Sequence, residues 1–329
     1  MQHSLSTTSG RHRLVPSPAG RIHLVEEGSG PLVLLVHGFP ESWFSWRHQL
    51  PVLAAAGYRA VAVDVRGYGR SSRPADIAAY RMVDLVDDAV AVVQALGESQ
   101  AVIVGHDWGA GIAATSALLR PDVFTAAALL SVPYTPPGGP RPSDAFAHMS
   151  TADGEFYVSY FQQPGRAEAE IEPDVRGWLA GFYAALSADT MPGVDSPGVH
   201  VVQPGGRLRD RFPADTLPAW LLPEDLDVYA SEFERTGMAG ALNRYRNMDR
   251  DWEDLAAFAG QPLTQPTLFI GGALDASTAW MADAIAAFPT TMPGLVGSHI
   301  LENTGHWIQQ ERPDEVNSLL TNWLTSVHV

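Results

Sequence analysis

The stretch Gly105-His106-Asp107-Trp108-Gly109 (GHDWG) follows the apolar run AVIV at 101–104 and precedes AGIAATSALL at 110–119, a small-residue run that can pack as a helix. Its frame is that of a nucleophile elbow, a sharp strand-to-helix turn that lifts one side chain above a sheet and needs small residues on either side. An acid stands where such a turn commonly carries serine. Asp is also a favoured helix N-cap, so GHDWG alone leaves two readings of Asp107, a cap or a nucleophile.

Outward from the elbow, short apolar runs bounded by turn residues read as buried strands of a parallel sheet: Pro31 to Val36, Ala60 to Val65, Ala101 to Val104, Ala126 to Val132 and Thr267 to Ile270. Helical patterns lie between them. In Met82 to Leu96, Val83, Val86, Val90 and Val93 share one face, with Asp84, Asp87 and Asp88 largely off it. Strand and helix in alternation predict a doubly wound, mostly parallel α/β sheet, whose ligands bind beyond the carboxyl ends of the strands. After Pro133 the pattern breaks. The chain becomes rich in Pro, Gly, Trp and Tyr, with helical pieces near Phe156, Arg176 and Asp225 and a Pro/Gly-rich connector from Met191 to Pro223. The economical reading is one α/β core, residues 14–135 and 261–329, interrupted by a helical cap over 136–260.

Composition narrows the partners. A formal charge of −16 over 329 residues, without a Lys/Arg-rich run, argues against nucleic acid and anionic membranes, which attract basic patches. A small organic partner fits better. With no cysteine there is no disulfide, thiol nucleophile or zinc–thiolate site. No apolar stretch reaches the ~20 residues needed to span a bilayer, and MQHSLSTTSGRHR lacks a signal-peptide core. The expectation is a cytoplasmic protein whose first dozen residues form a loose tail; oligomeric state is silent.

An elbow nucleophile works with an oxyanion hole, made from the backbone N–H after the nucleophile and another N–H from the loop after the third strand. Here these are Trp108 and, in His37-Gly38-Phe39-Pro40, Phe39. A base and its orienting acid follow in the order nucleophile, acid, His. Asp275 lies just past a strand in FIGGALD, and His306 in the loop ENTGHW. His299 competes for the base, but it sits inside the strand-like SHIL, whereas His306 follows a glycine in a loop that can reach the strand ends.

Taken together, HGFPESW, DVRGYGRSS, GHDWGAG, GGALD and NTGHW stand in the order and positions of the α/β-hydrolases, and the set closely resembles the soluble and bacterial epoxide hydrolases. The resemblance runs from Arg21 to Trp323. It enters the cap through FYVSYFQQPG at 156–165 and LNRYRN at 242–247. In that family the two cap segments each supply a tyrosine facing the nucleophile, which implies Tyr157 and Tyr245 here. Tyr160 is left as a packing residue.

This chemistry gives the acid a reason. A serine elbow serves substrates that bring a carbonyl, whereas an epoxide offers an sp3 carbon in a strained ring. A carboxylate, with a reference pKa of about 3.9, is ionised at neutral pH and attacks without a base. The product is an Asp107 ester. Two phenols, with reference pKa about 10, can donate to the opening oxygen. His306, oriented by Asp275, then activates water against the ester carbonyl, and the oxyanion forms within reach of the Phe39 and Trp108 N–H groups. A vicinal diol leaves.

Haloalkane dehalogenases share the Asp, His and acid logic and also the Trp after the nucleophile. They need side-chain N–H donors for the halide, and Phe39 has none. Fluoroacetate-type dehalogenases share HGFP but usually carry Arg at the position of Trp108. A non-catalytic ligand-binding protein on this fold has no need of the Asp107, Asp275 and His306 set. No H-E-x-x-H pair or ligand spacing points to a metal, and Gly67-Tyr68-Gly69 lacks the final Gly of a nucleotide loop. The expected partners are a small hydrophobic epoxide and water, with no cofactor. Asp64, Arg66 and Ser71 read as local hydrogen-bonding residues around the 67–69 turn.

Overall fold

The computed structural model describes residues 10–150, 154–192, 200–213 and 216–327. Among these residues ten strands form, β1 (Arg11–Ser17), β2 (Gly20–Gly28), β3 (Leu32–Val36), β4 (Arg59–Val63), β5 (Ala101–His106), β6 (Phe124–Leu130), β7 (Glu155–Phe156), β8 (Val201–Val202), β9 (Thr267–Gly272) and β10 (Leu295–Leu301). Eight make one sheet in the order β1-β2-β4-β3-β5-β6-β9-β10. The β1–β2 and β2–β4 pairings are antiparallel and the rest parallel. This is the α/β-hydrolase arrangement expected, with the strand order reversing beside β3 and β5.

Strand alternation divides the core between two faces. Leu32, Leu34 and Val36 of β3 face one apolar cluster, and Val33 and Leu35 face the other, with Trp46, Leu50, Leu320 and Leu324. A strand apolar on both faces, like β5, is stable only when helices cover both sides. Trp108–Leu119 covers one side and Pro313–Ser326 the other.

Between β6 and β9 the described chain is mainly helical: Pro142–Met149, Tyr157–Gln162, Arg166–Ile171, Val175–Ala185, Pro223–Thr236, Ala239–Asn243 and Met248–Asp254. Phe161, Trp178, Leu179 and Leu242 are fully buried there and join the same apolar cluster as Phe39 at the sheet's edge. The pair β7–β8 joins this segment's first part to the connector, where Tyr157 N–H bonds the His200 carbonyl at 2.8 Å. Parts of the 191–223 connector lie outside the described residues.

Several expectations change, among them the strand read over Ala60 to Val65, which spans Arg59–Val63. Residues 1–9 of the supposed tail lie outside the described residues, but Arg11 and His12 belong to β1, whose Arg-rich, half-exposed pattern hid its pairing with β2. The helix Met82–Ala95 buries Asp88 and leaves Val83 only half-buried, because the Arg66 guanidinium meets the Asp88 carboxylate at 2.7 Å. The run ending at Val132 stops as a strand at Leu130, since Ser131 turns left-handed with φ 71°. The 67–69 turn behaves as read: Asp64 accepts from the Trp43 and Arg70 N–H groups, and the Ser71 hydroxyl donates to the Asp64 carbonyl.

Candidate active site

Asp107 occupies the turn between β5 and the Trp108–Leu119 helix with φ 53° and ψ −121°, backbone angles that cost a non-glycine residue on the order of 1–3 kcal/mol. Close packing holds it there. A Cβ on Gly105 would run into the Gly109 carbonyl, and one on Gly109 into the Val36 carbonyl, so only glycine lets strand and helix meet this tightly. The carboxylate makes no cap bond to its helix. It turns instead to the loop after β3, where the Phe39 N–H donates to Asp107 Oδ1 at 2.8 Å. Trp108 starts the helix, and among the described residues its N–H makes no bond to that carboxylate.

The loop carrying Phe39 is fixed from beneath by Glu41, which is fully buried. Glu41 accepts from the Gly38 N–H at 3.1 Å, from Gln309 and Gln310, and bonds His106 Nδ1 at 2.8 Å. The other nitrogen of His106 bonds the His306 carbonyl at 2.8 Å. One buried carboxylate thus ties the loop after β3, the elbow strand and the histidine loop together. Burial would lift the Glu41 carboxyl, yet the His106 charge and hydrogen bond hold it below the usual range.

His306 lies in the loop after β10, its N–H bonded to the Leu186 carbonyl at 2.9 Å. Its Nε2 stands 3.8 Å from Asp107 Oδ2 and its Nδ1 stands 3.2 Å from Asp275 Oδ1. Burial alone would lower the imidazole, but the Asp275 charge and hydrogen bond, with Asp107 beyond, push it up to about 9. Asp275 shows the reverse: burial would raise it, and His306, Ser131 and the Ser277 N–H lower it. His299 sits exposed on the edge strand β10, facing away from this cluster.

The two tyrosines, Tyr157 and Tyr245, line the same cavity as Asp107. Their ring centroids lie 6.2 Å apart, and Phe39, Phe182, His200, Trp280 and His306 share the lining. Burial first, then the charges of Asp107 and Asp275, raise the Tyr157 phenol above its ordinary value. Tyr245 is raised well above it by burial, Tyr157 and Asp107, against a lowering hydrogen bond from the Trp108 side chain. Tyr160 points elsewhere, its hydroxyl donating to Glu170 at 2.6 Å. Among the described residues no acidic and histidine cluster could hold a metal ion.

The model of the alpha/beta hydrolase fold family matches residues 31–313. Epoxide hydrolase B of Mycobacterium tuberculosis is 44% identical, over 95% of this chain and 98% of its own. The chain belongs to the epoxide hydrolases of the alpha/beta hydrolase fold family. Among solved structures, an epoxide hydrolase from an endophytic Streptomyces is 68% identical, covers 98% of this chain and 97% of its own, and superposes with a TM-score of 0.96. Epoxide Hydrolase A from Mycobacterium thermoresistibile is 40% identical over 97% of this chain and 99% of its own, with a TM-score of 0.89.

In this epoxide hydrolase the geometry adds residues that pattern reading left without a role. Glu41 and His106 lie inside the HGFPESW and GHDWGAG motifs, where the sequence assigned them no role. Ser131 was the last polar position of an apolar run, and a polar residue at a strand's carboxyl end was the available signal. His200 and Trp280, whose ring centroids lie 4.5 Å apart in the cavity lining, had no signal at all. No helix among the described residues is long and apolar enough to cross a membrane.

Proposed function

We propose that this chain converts a small hydrophobic epoxide and water to a vicinal diol through a covalent ester on Asp107. The observation that carries it is the setting of the Asp107 carboxylate. It is held by Phe39 at 2.8 Å instead of capping its helix, with His306 Nε2 3.8 Å away and two phenols lining the same cavity. One Asp107 oxygen attacks an epoxide carbon, the C–O bond of the ring breaks, and the departing oxygen takes a proton from Tyr157 or Tyr245. Raised phenol pKa values keep both tyrosines protonated donors at neutral pH.

Esterification removes the Asp107 charge that helps hold His306 protonated. The imidazole then accepts a proton from water, and the hydroxide adds to the ester carbonyl while Phe39 N–H stabilises the oxyanion, with Trp108 as the second donor. Collapse breaks the ester C–O bond, and the leaving alkoxide takes the proton from His306 to complete the diol. The new carboxylic acid of Asp107 returns a proton to the tyrosinate, and one water oxygen stays in Asp107. The division into a core of 14–135 and 261–329 and a cap of 136–260 is part of the same proposal, the cap bringing the tyrosines. So is a cytoplasmic location, consistent with an acidic, cysteine-free chain.

Dehalogenation by the same Asp107 is the second reading. Against it, Phe39 offers no side-chain donor for a departing halide, and two phenols line the cavity beside Asp107. The deciding assay offers purified protein an aryl epoxide and a haloalkane side by side and measures diol and halide. Halide without diol would overturn the epoxide reading.

A further inference from the structure

Ser131 is fully buried at the carboxyl end of β6, and its N–H bonds the Ile270 carbonyl of β9 at 2.9 Å. Its φ of 71° is uncommon for serine, and the turn aims the side chain into the gap between the histidine loop and Asp275. The hydroxyl oxygen lies 2.5 Å from Asp275 Oδ2 and 3.1 Å from His306 Nδ1.

A hydroxyl has one proton to give. Asp275, ionised, can only accept, and the shorter contact takes that proton. Toward His306 the oxygen therefore presents lone pairs. Asp275 Oδ1 presents another acceptor to the same nitrogen at 3.2 Å, the long end of the hydrogen-bonding range. Facing two acceptors, Nδ1 must carry the ring proton, which leaves Nε2 as the basic nitrogen on the Asp107 side. With Asp275 alone, one long bond would hold the ring.

We infer that Ser131 is a positioning residue for the ester-hydrolysis step, a relay that donates to Asp275, accepts from His306 and so fixes both the tautomer and the tilt of the imidazole. The inference rests on the Asp107 ester reading. Ser131 does not touch Asp107, so ring opening is outside its reach.

The test follows the two steps separately, in single turnovers with an aryl epoxide, by the formation and decay of the protein adduct in intact mass spectra. Ser131→Gly removes the hydroxyl while easing the left-handed backbone, so it folds without new strain. Ser131→Asn tolerates that backbone and supplies one N–H and one carbonyl. The expected result is adduct formation within about twofold of the parent in both variants. Decay should slow about tenfold in the glycine variant and recover to within about threefold in the asparagine variant, the size of effect that misorienting a catalytic base produces. Unchanged decay in Ser131→Gly, equal slowing of both steps, or equally slow decay in the two variants would overturn the assignment. An adduct that never forms in the parent protein or in His306→Gln, despite diol production, would instead remove the Asp107 ester on which the inference stands.

Discussion

His306 Nε2 lies 3.8 Å from Asp107 Oδ2, beyond direct hydrogen bonding, while its Nδ1 is bonded to Asp275 and Ser131. A base that must deprotonate its nucleophile would need contact with it. A base that acts later, on water, needs a gap.

His306→Gln should therefore leave ring opening possible and stop hydrolysis. Intact mass spectrometry of this variant with an epoxide should show stoichiometric adduct, with diol formation at least about a thousandfold slower than in the parent. Absence of adduct, with epoxide binding verified, would remove His306 from the second step.

Tyr157→Phe and Tyr245→Phe should each slow adduct formation by roughly a hundredfold, since each removes one donor to the developing alkoxide, and the double variant should nearly abolish it. Single-turnover formation of the protein adduct in intact mass spectra would follow the step. Turnover unchanged in the double variant would mean that neither phenol donates.

The pH behaviour follows from the His306 value of about 9, raised against burial by Asp275 and Asp107. In the free protein an NMR titration should find His306 titrating near that value. Once Asp107 is an ester its charge is gone, so the hydrolysis rate should rise with pH along a limb centred below 9. For folding, the raised pKa contributes stability that is fully present below about pH 6.5 and is lost as pH rises through about 9. His306→Gln should accordingly show a flatter stability profile across that window in urea titrations.

Glu41→Ala should cost about 3 kcal/mol, because it leaves His106, the Gly38 N–H and the two glutamine amides without their shared buried acceptor. Scanning calorimetry should show a Tm lower by about 4 °C for a chain of this length. Both half-reactions should slow, since the oxyanion loop and the His306 carbonyl lose their common tether. A variant with parental Tm would show that the network is not strongly coupled to stability.

Local pattern carried much of this protein, and tertiary contact carried the rest. Runs such as PLVLLV and GHDWG announce strands and the elbow because burial on both faces demands continuous apolar residues, and because only glycine at 105 and 109 lets strand and helix approach so closely. The same reasoning missed β1, where Arg11-His12-Arg13 precedes Leu14 and Val15 on a mostly exposed edge, and β2 beside it, and it put Asp88 on the wrong side of its helix because Arg66, 22 positions away, is what makes burial tolerable.

At the site, sequence order by itself offered an acid on the elbow and then an acid and a histidine after later strands as candidates; the two tyrosines came only with the resemblance to the epoxide hydrolases. It could not decide what those groups do to one another. Whether Asp107 caps its helix or faces the oxyanion loop, which nitrogen of His306 is basic, and that Ser131 stands between Asp275 and His306 depend on distances set by strands β5, β6, β9 and β10 lying side by side. Hydrogen bonds and charge interactions change over tenths of an ångström to a few ångströms, while the residues that make them are up to 269 positions apart. Only the folded sheet brings them within that range.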